Sequence, residues 1–339
     1  MMGNFIMALK IAINGFGRIG RCVTRIASLR DDVEIVAIND MASMDMMLYL
    51  LENDSVHGTF ECDVVKLDEE NITVDGKKIK VFNELDPKNL KFANYGADIV
   101  LECTGMFLTQ ELSQAHIDNG VKKVLLSAPA KDDKTPTFVM GVNEHLYAGQ
   151  NIVSNASCTT NCLAPVAKIL DDAFGIEKGL MTTIHSYTND QNILDSKHSK
   201  EMRKSRAAAI NMIPMSTGAA KAIGLVLPEL NGKLHGQSVR VPAPDVSILD
   251  LNVIVKKNTT KEEVIAVFNQ MADTGFKDLV LIDKKMRVSQ DFVGCQYSAV
   301  VAEDLTQVIG GNMVKIMAWY DNEWGYSTRL IDMALHITK

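Results

Sequence analysis

Short apolar runs and longer stretches of helical periodicity alternate along the first half of the chain. Residues 10–14 form an apolar run that enters Gly15-Phe16-Gly17-Arg18-Ile19-Gly20, and the spacing over 21–29 predicts a helix behind it. A second apolar strand, 34–39, ends at Asp40. Residues 97–105 and 123–127 read as buried strands, with a helical pattern over 109–119 between them that Gly120 stops. Residues 151–153 read as the end of another strand. Strands alternating with helices predict a parallel, doubly wound sheet that binds ligands at its strand carboxyl ends. Between 41 and 95, alternation around Asp75-Gly76 marks a hairpin, and Met41, Met44, Met46 and Met47 read as core filler.

The pattern changes in the second half. Helical spacing over 163–170 is followed by a strand over 180–188. A polar stretch without periodicity then runs over 189–213 and carries Lys197, Lys200, Arg203, Lys204 and Arg206. Such a loop is usually functional, the alternative being a solvated charged face. Helices over 219–227, 261–272 and 326–336 are interleaved with strands over 234–241, 246–255, 279–282, 297–302 and 313–320. Paired strands with these helices predict a mixed sheet covered on one side. The fold class is α/β: a Rossmann-type doubly wound parallel sheet plus an α+β domain with a mixed or antiparallel sheet.

A chain of 339 residues exceeds what one hydrophobic core serves, so two domains are expected. The net charge of −7 disfavours nucleic acid and anionic membranes as main partners. No apolar run is long enough to span a bilayer, and residues 1–10 are too short and interrupted for a signal peptide. Six cysteines in a chain of this length do not suggest a disulfide framework. Cys158 and Cys162 lack a usual zinc spacing, and no cluster completes one, so no metal is expected. These features point to a cytoplasmic protein.

Candidate chemistry falls at the ends of the predicted elements. The glycine segment lies between a strand and a helix, with Asp40 about twenty residues beyond it, which is the full context of a dinucleotide site. Gly15, Phe16, Gly17, Arg18 and Ile19 would meet a pyrophosphate at a helix N-terminus. Asp40 would accept from a ribose and repel a 2′-phosphate, which favours NAD over NADP; its alternative role is a turn residue. Thr104 and Ser127 close two further strands, as cofactor contacts or as turn caps. Ser157 is a plausible N-cap, which puts Cys158 in the first turn of a helix. Unpaired N–H groups and the helix dipole there favour thiolate, the nucleophilic form; the alternative is a buried structural cysteine. His185 is the candidate base or else a satisfied core histidine. Ser216-Thr217-Gly218 ahead of a helix is a plausible anion site, and Arg240 in an apolar strand end requires an anionic partner.

Taken together these segments resemble phosphorylating glyceraldehyde-3-phosphate dehydrogenase. The most specific are residues 13–21, residues 154–162, His185-Ser186-Tyr187-Thr188, residues 216–221, Arg240-Val241-Pro242 and residues 320–325, and the likeness covers 8–338. The resemblance implies a reversible, NAD-dependent oxidoreductase of glycolysis and gluconeogenesis that converts glyceraldehyde 3-phosphate and inorganic phosphate to 1,3-bisphosphoglycerate. Cys158 would carry a thioester and His185 would move the proton. Thr188 and Arg240 match the family's substrate-phosphate site. Ser157, Thr159, Thr217 and Gly218 match its attacking-phosphate site. Asn322 matches the residue that fixes the nicotinamide amide. The family's long loop, here about 189–213, packs across a subunit interface in a homotetramer. The implied domains are 8–157 for NAD, with a C-terminal helix 322–339 packing back on it, and 158–321 for catalysis.

Three sites depart from the family pattern: Leu85 and Lys204 each replace a usual Arg, and Ser196-Lys197 replaces a Leu-Pro. Lys204 keeps the charge and loses the bidentate fork. Ser196 and Lys197, reaching from a neighbouring subunit, are expected to admit some NADP; the alternative is that Lys197 is merely solvated. The competing enzyme is erythrose-4-phosphate dehydrogenase, against which residues 216–221 stand. A more distant reading is a nucleic-acid or ligand-binding role of the same fold, supported only by the basic loop.

Overall fold

The computed structural model describes residues 8–199 and 201–339. Lys200 of the basic loop therefore lies outside the described residues, as does most of the stretch read against a signal peptide. The chain divides into two compact units. The first holds the described residues up to Phe138, then Glu144–Ala156 and Ser327–Lys339; the second holds Val139–Asn143 and Ser157–Tyr326.

Among the described residues the first unit contains β1 (Leu9–Asn14), β2 (Val33–Asn39), β3 (Asn53–Asp54), β4 (Gly58–Thr59), β5 (Val64–Lys66), β6 (Asn71–Val74), β7 (Lys77–Phe82), β8 (Ile99–Glu102), β9 (Lys123–Leu126) and β10 (Ile152–Ser154). Eight of these form one sheet in the order β10-β9-β8-β1-β2-β7-β6-β5. Pairing is parallel from β10 across to β7. The β5–β6–β7 edge is antiparallel, turned at Asp75-Gly76 with both residues at positive φ, the conformation a tight hairpin of this twist needs. Ile11, Ala12 and Ile13 are wholly buried, as befits a parallel strand covered on both faces. Because β2 and β8 flank β1 on opposite sides, the strand order reverses there, and a crevice for a ligand opens at the carboxyl ends.

Helix α1 (Arg18–Ser28) starts inside the glycine segment rather than at residue 21, because extended Gly17 serves as its N-cap. Helices α2 (Met44–Glu52) and α3 (Gln110–Asp118) follow, capped by Ser43 and Thr109. The methionine expectation fails. Of the four, only Met47 is buried; Met46 of the surface helix α2 and Met41 ahead of it are half exposed.

The second unit opens with α4 (Cys158–Phe174) and contains β11 (Ile176–Ser186), β12 (Ile213–Ser216), α5 (Ala219–Val226), β13 (Leu234–Val241), β14 (Ser247–Val255), α6 (Lys261–Asp273), β15 (Val280–Asp283), β16 (Ala299–Ala302), β17 (Gln307–Ile309) and β18 (Met313–Tyr320). Its sheet runs β12-β13-β11-β14-β18-β16-β15, with β17 paired to β18. The β11/β13 and β15/β16 pairs are parallel and the others antiparallel, a mixed sheet. Helix α4 packs against β11, β14, β16 and β18. Along β14 and β18 buried residues alternate with half-exposed ones, so one face is covered and the other meets solvent. Strands β12 and β17 had not been expected; Pro214 within the first and the shortness of the second hide them. Helix α7 (Trp324–Ile337) begins in the second unit and ends in the first, where Tyr147 Oη donates to the Ile337 carbonyl at 3.1 Å.

Strand register aligns polar residues at the ends of the first sheet. Asn14 sits opposite Asn39 on one side and Glu102 on the other. The wholly buried Glu102 carboxylate accepts from Asn14 Nδ2 at 2.6 Å, from Thr104 N at 2.9 Å and from the Thr104 hydroxyl, with His116 Nε2 at 3.3 Å. Asn39 Nδ2 donates to Asn14 Oδ1 at 2.8 Å, which extends the network to a third strand. Replacing Glu102 by Ala strands several buried donors, each costing about 1–3 kcal/mol. At about 2–4 °C per kcal/mol for a chain of this size, the melting temperature should fall by roughly 5 °C or more in a thermal scan; an unchanged scan would mean the carboxylate is dispensable.

Candidate active site

In the first unit the cofactor candidates gather at the carboxyl edge of the sheet. Gly15 follows β1 at φ +97°, and a Cβ there would lie 2.7 Å from Thr104 N. Gly17 caps α1 with no side-chain acceptor, α1 has no acid in its first turn, and the space where a Gly17 Cβ would stand is open. An uncapped helix start beside open space is what an anionic pyrophosphate requires, so these residues fit a dinucleotide. Phe16 is buried, and its N–H donates to Asp40 Oδ2 at 2.7 Å. The other Asp40 oxygen accepts from Ala42 N at 2.9 Å. Arg18 forms an ion pair with Asp54, and Ile19 is half-buried beside it in the first turn. Thr104 is tied to Glu102 as described, and the Ser127 N–H donates to the Glu102 carbonyl at 3.0 Å.

In the second unit, Ser157 caps α4 by accepting from Thr160 N at 3.1 Å, and Cys158 is the first helical residue. Ala156, just ahead, holds φ +57°, a left-handed conformation that is costly for a residue with a Cβ. His185 lies near the end of β11. Parallel pairing sets it opposite Arg240 of β13, which puts the two side chains on one face of the sheet. The Cys158 Sγ to His185 Nε2 distance is 3.5 Å. Arg240 Nη1 lies 2.6 Å from His185 Nδ1 and donates to the Ser186 carbonyl at 2.9 Å, while Nδ1 itself is 2.8 Å from that carbonyl.

Burial first, then the Arg240 charge, lowers His185 from the ordinary 6.5 to about 3, so the ring is neutral at neutral pH. A neutral ring with its proton on Nδ1, donated to Ser186, turns the Nε2 lone pair toward the sulfur as a base. With the proton on Nε2 instead, Nδ1 accepts from Arg240 and Nε2 donates to a thiolate. The thiol departs from the expectation of a depressed value: it is raised. Burial pushes Cys158 up, while the Arg240 charge, the Thr159 hydroxyl and nearby N–H groups pull it down.

The candidate phosphate contacts lie on the same unit. Arg240 Nε is buried and has no hydrogen-bond partner among the described residues, a donor left over for an anion. Thr188 N donates to Gln191 Oε1 at 3.0 Å. Thr217 Oγ1 accepts from Ala219 N at 3.2 Å, and Gly218 stands at the N-cap of α5 without a capping side chain. Lys204 is paired with Asp190. Asn322 Oδ1 accepts from the Ser186 and Ser247 hydroxyls at 2.9 and 2.7 Å, which leaves its amide N–H₂ as the donor end. The sequence reading missed Glu102, His116, Ser247 and Tyr320. A carboxylate ending the apolar run 99–102 was the available signal for Glu102, and the period-two pattern 314–320 was the signal that Tyr320 points inward.

The family model for the NAD binding domain of glyceraldehyde 3-phosphate dehydrogenase matches residues 9–110, and the model for its C-terminal domain matches 157–322. The chain is 52% identical over 331 residues to glyceraldehyde-3-phosphate dehydrogenase 1 of Bacillus cereus, covering 97% of this chain and 98% of that one. It is 49% identical over 335 residues to glyceraldehyde-3-phosphate dehydrogenase 1 of Bacillus subtilis, covering 98% and 99%. It is 49% identical over 333 residues to glyceraldehyde-3-phosphate dehydrogenase A of Escherichia coli K12, covering 98% and 100%.

The imidazole assignment has a direct check. The unfolded chain takes up a proton on His185 near pH 6.5, and the folded chain refuses it until about pH 3. The ring's contribution to stability is therefore intact above 6.5 and is lost as pH falls from 6.5 toward 3. The His185 ring resonances should stay flat between about pH 5 and 8 in a nuclear magnetic resonance titration. Arg240→Leu should move their midpoint upward; a wild-type midpoint near 6.5 would contradict the neutral ring.

Proposed function

The chain belongs to the glyceraldehyde 3-phosphate dehydrogenase family, and on that premise we propose that it oxidises D-glyceraldehyde 3-phosphate with inorganic phosphate to 1,3-bisphosphoglycerate through a thioester on Cys158. The observation that carries this reading is the 3.5 Å approach of Cys158 Sγ to His185 Nε2 at the start of α4. NAD, when bound, supplies the acceptor for the two electrons that leave the substrate as hydride. Gly15, Phe16, Gly17, Arg18, Ile19, Asp40, Thr104 and Ser127 of the first unit would hold it, and Asn322 would donate its amide N–H to the nicotinamide carboxamide.

The protein's own groups move the protons. His185 Nε2 takes the thiol proton as the Cys158 sulfur bonds to the aldehyde carbon, and returns it to the oxygen that receives the carbonyl electrons, giving a thiohemiacetal. It withdraws the same proton when the carbonyl re-forms as a thioester. The raised energy of an imidazolium beside Arg240 keeps the proton from lodging on the ring. Arg240 and Thr188 would hold the substrate phosphate; Ser157, Thr159, Thr217 and Gly218 would hold the attacking phosphate. That phosphate adds to the thioester carbon and expels the Cys158 thiolate.

The reaction is reversible and would serve both glycolysis and gluconeogenesis in the cytoplasm. No helix among the described residues is long and apolar enough to cross a membrane. A homotetramer is proposed on the family pattern and on Ile193, Leu194, Met202, Ile210 and Met212, apolar side chains of the 189–213 loop that one subunit leaves exposed. Lys197 is exposed in that loop and is proposed to give weak NADP use across the subunit boundary.

Purified protein should form NADH from glyceraldehyde 3-phosphate in a phosphate-dependent manner. Cys158→Ser should abolish this, and His185→Asn should slow it by about 10²–10⁴-fold. Undiminished turnover in Cys158→Ser would end the thioester mechanism. Steady-state rates with NADP in place of NAD should be low but measurable, and their complete absence would remove the role given to Lys197.

A further inference from the structure

Tyr320 takes no part in the steps above, yet it is 2% exposed and touches both members of the catalytic pair's scaffold. Its hydroxyl lies 2.9 Å from Thr159 Oγ1, next to the nucleophile, and 2.7 Å from Thr183 Oγ1, two residues before His185. Its ring meets the His185 ring edge-on, with centroids 5.9 Å apart and planes at 80°. Burial, then the Cys158 charge, raises the phenol above its ordinary range, so Tyr320 keeps its single proton.

Three hydroxyls therefore share three protons, and the count fixes their direction. A phenol with one proton donates to one threonine and accepts from the other. Suppose Thr159 donated to Tyr320 and Tyr320 to Thr183. The Thr183 proton would then have no acceptor, because among the described residues Tyr320 is the one partner of Thr183 Oγ1, and Thr183 is 1% exposed. A stranded buried hydroxyl is costly. The opposite direction, Thr183 to Tyr320 to Thr159, places the Thr183 and Tyr320 protons and leaves the Thr159 proton to point onward from the first turn of α4. Thr159 follows the nucleophile directly in the first turn of α4, and its hydroxyl acts to hold the Cys158 thiol down.

We propose that Tyr320 is a positioning residue for the nucleophile: anchored by Thr183, its phenol turns the Thr159 hydroxyl proton onto the Cys158 sulfur and stabilises the thiolate. This rests on Cys158 as nucleophile and Thr159 as a phosphate contact. Once the sulfur is acylated it loses the charge that attracted the proton. Thr159 then offers that proton to an oxygen of the incoming phosphate, so one hydroxyl serves the two stages in turn.

The test is the rate of Cys158 alkylation by iodoacetamide against pH, read by mass spectrometry on the full chain without substrate. Tyr320→Phe keeps the ring against His185 and removes the donor. Alkylation at about pH 7 should fall about tenfold and its midpoint rise by about one unit, the scale of one lost hydrogen bond to a charged acceptor. Thr183→Val should shift the midpoint the same way, and Thr183→Ser should restore it. A purely structural role would lower the melting temperature without moving the midpoint. Wild-type midpoints in both Tyr320→Phe and Thr183→Val would overturn the proposal, and Thr183→Val decides alone if Tyr320→Phe does not fold. Persistent turnover in Cys158→Ser would instead overturn the nucleophile itself.

Discussion

One cation governs the proton chemistry of the second unit. Arg240 stands beside His185 because β11 and β13 pair in parallel with those two residues on the same rung. A slip of one position would turn the guanidinium to the other face of the sheet. Burial lowers the ring and raises the thiol; from where it stands Arg240 adds to the first effect and works against the second. The ring is then no comfortable resting place for the proton, while burial still holds the thiol up. A group that relays a proton has to give it up as readily as it takes it.

The glycine segment, Asp40 and the Ser157 cap were legible in the sequence because each is a local device, complete within a few residues of chain or one strand–turn–helix unit. The partners of Glu102 and Tyr320 were not. Asn14 lies 88 residues from Glu102, and Thr159 lies 161 from Tyr320, so only the folded sheet brings them together. The methionines of α2 misled for a related reason. Helical periodicity marks a helix without saying how deeply it is set, and α2 lies at the surface with Met47 as its buried methionine. The early start of α1 follows from Gly17, a cap that offers no side chain for the eye to find.

The two units treat buried polarity alike. In each, a residue near a strand's carboxyl end collects donors from other segments of its unit: Glu102 in the first, Asn322 in the second with the Ser186 and Ser247 hydroxyls. Fully occupied, such networks hold a loop to one geometry; partly occupied, they are costly. Both lie where apolar packing stops.

Asp40 shows what that economy implies for redesign. Its two oxygens are already engaged, one by the Phe16 amide inside the glycine turn and the other by the amide of Ala42. On the role proposed for Asp40, cofactor choice and the shape of the glycine turn would both depend on a single carboxylate. Swapping it to welcome an extra phosphate would also slacken the turn, so converting this scaffold to the other nucleotide calls for a second substitution that re-anchors Phe16.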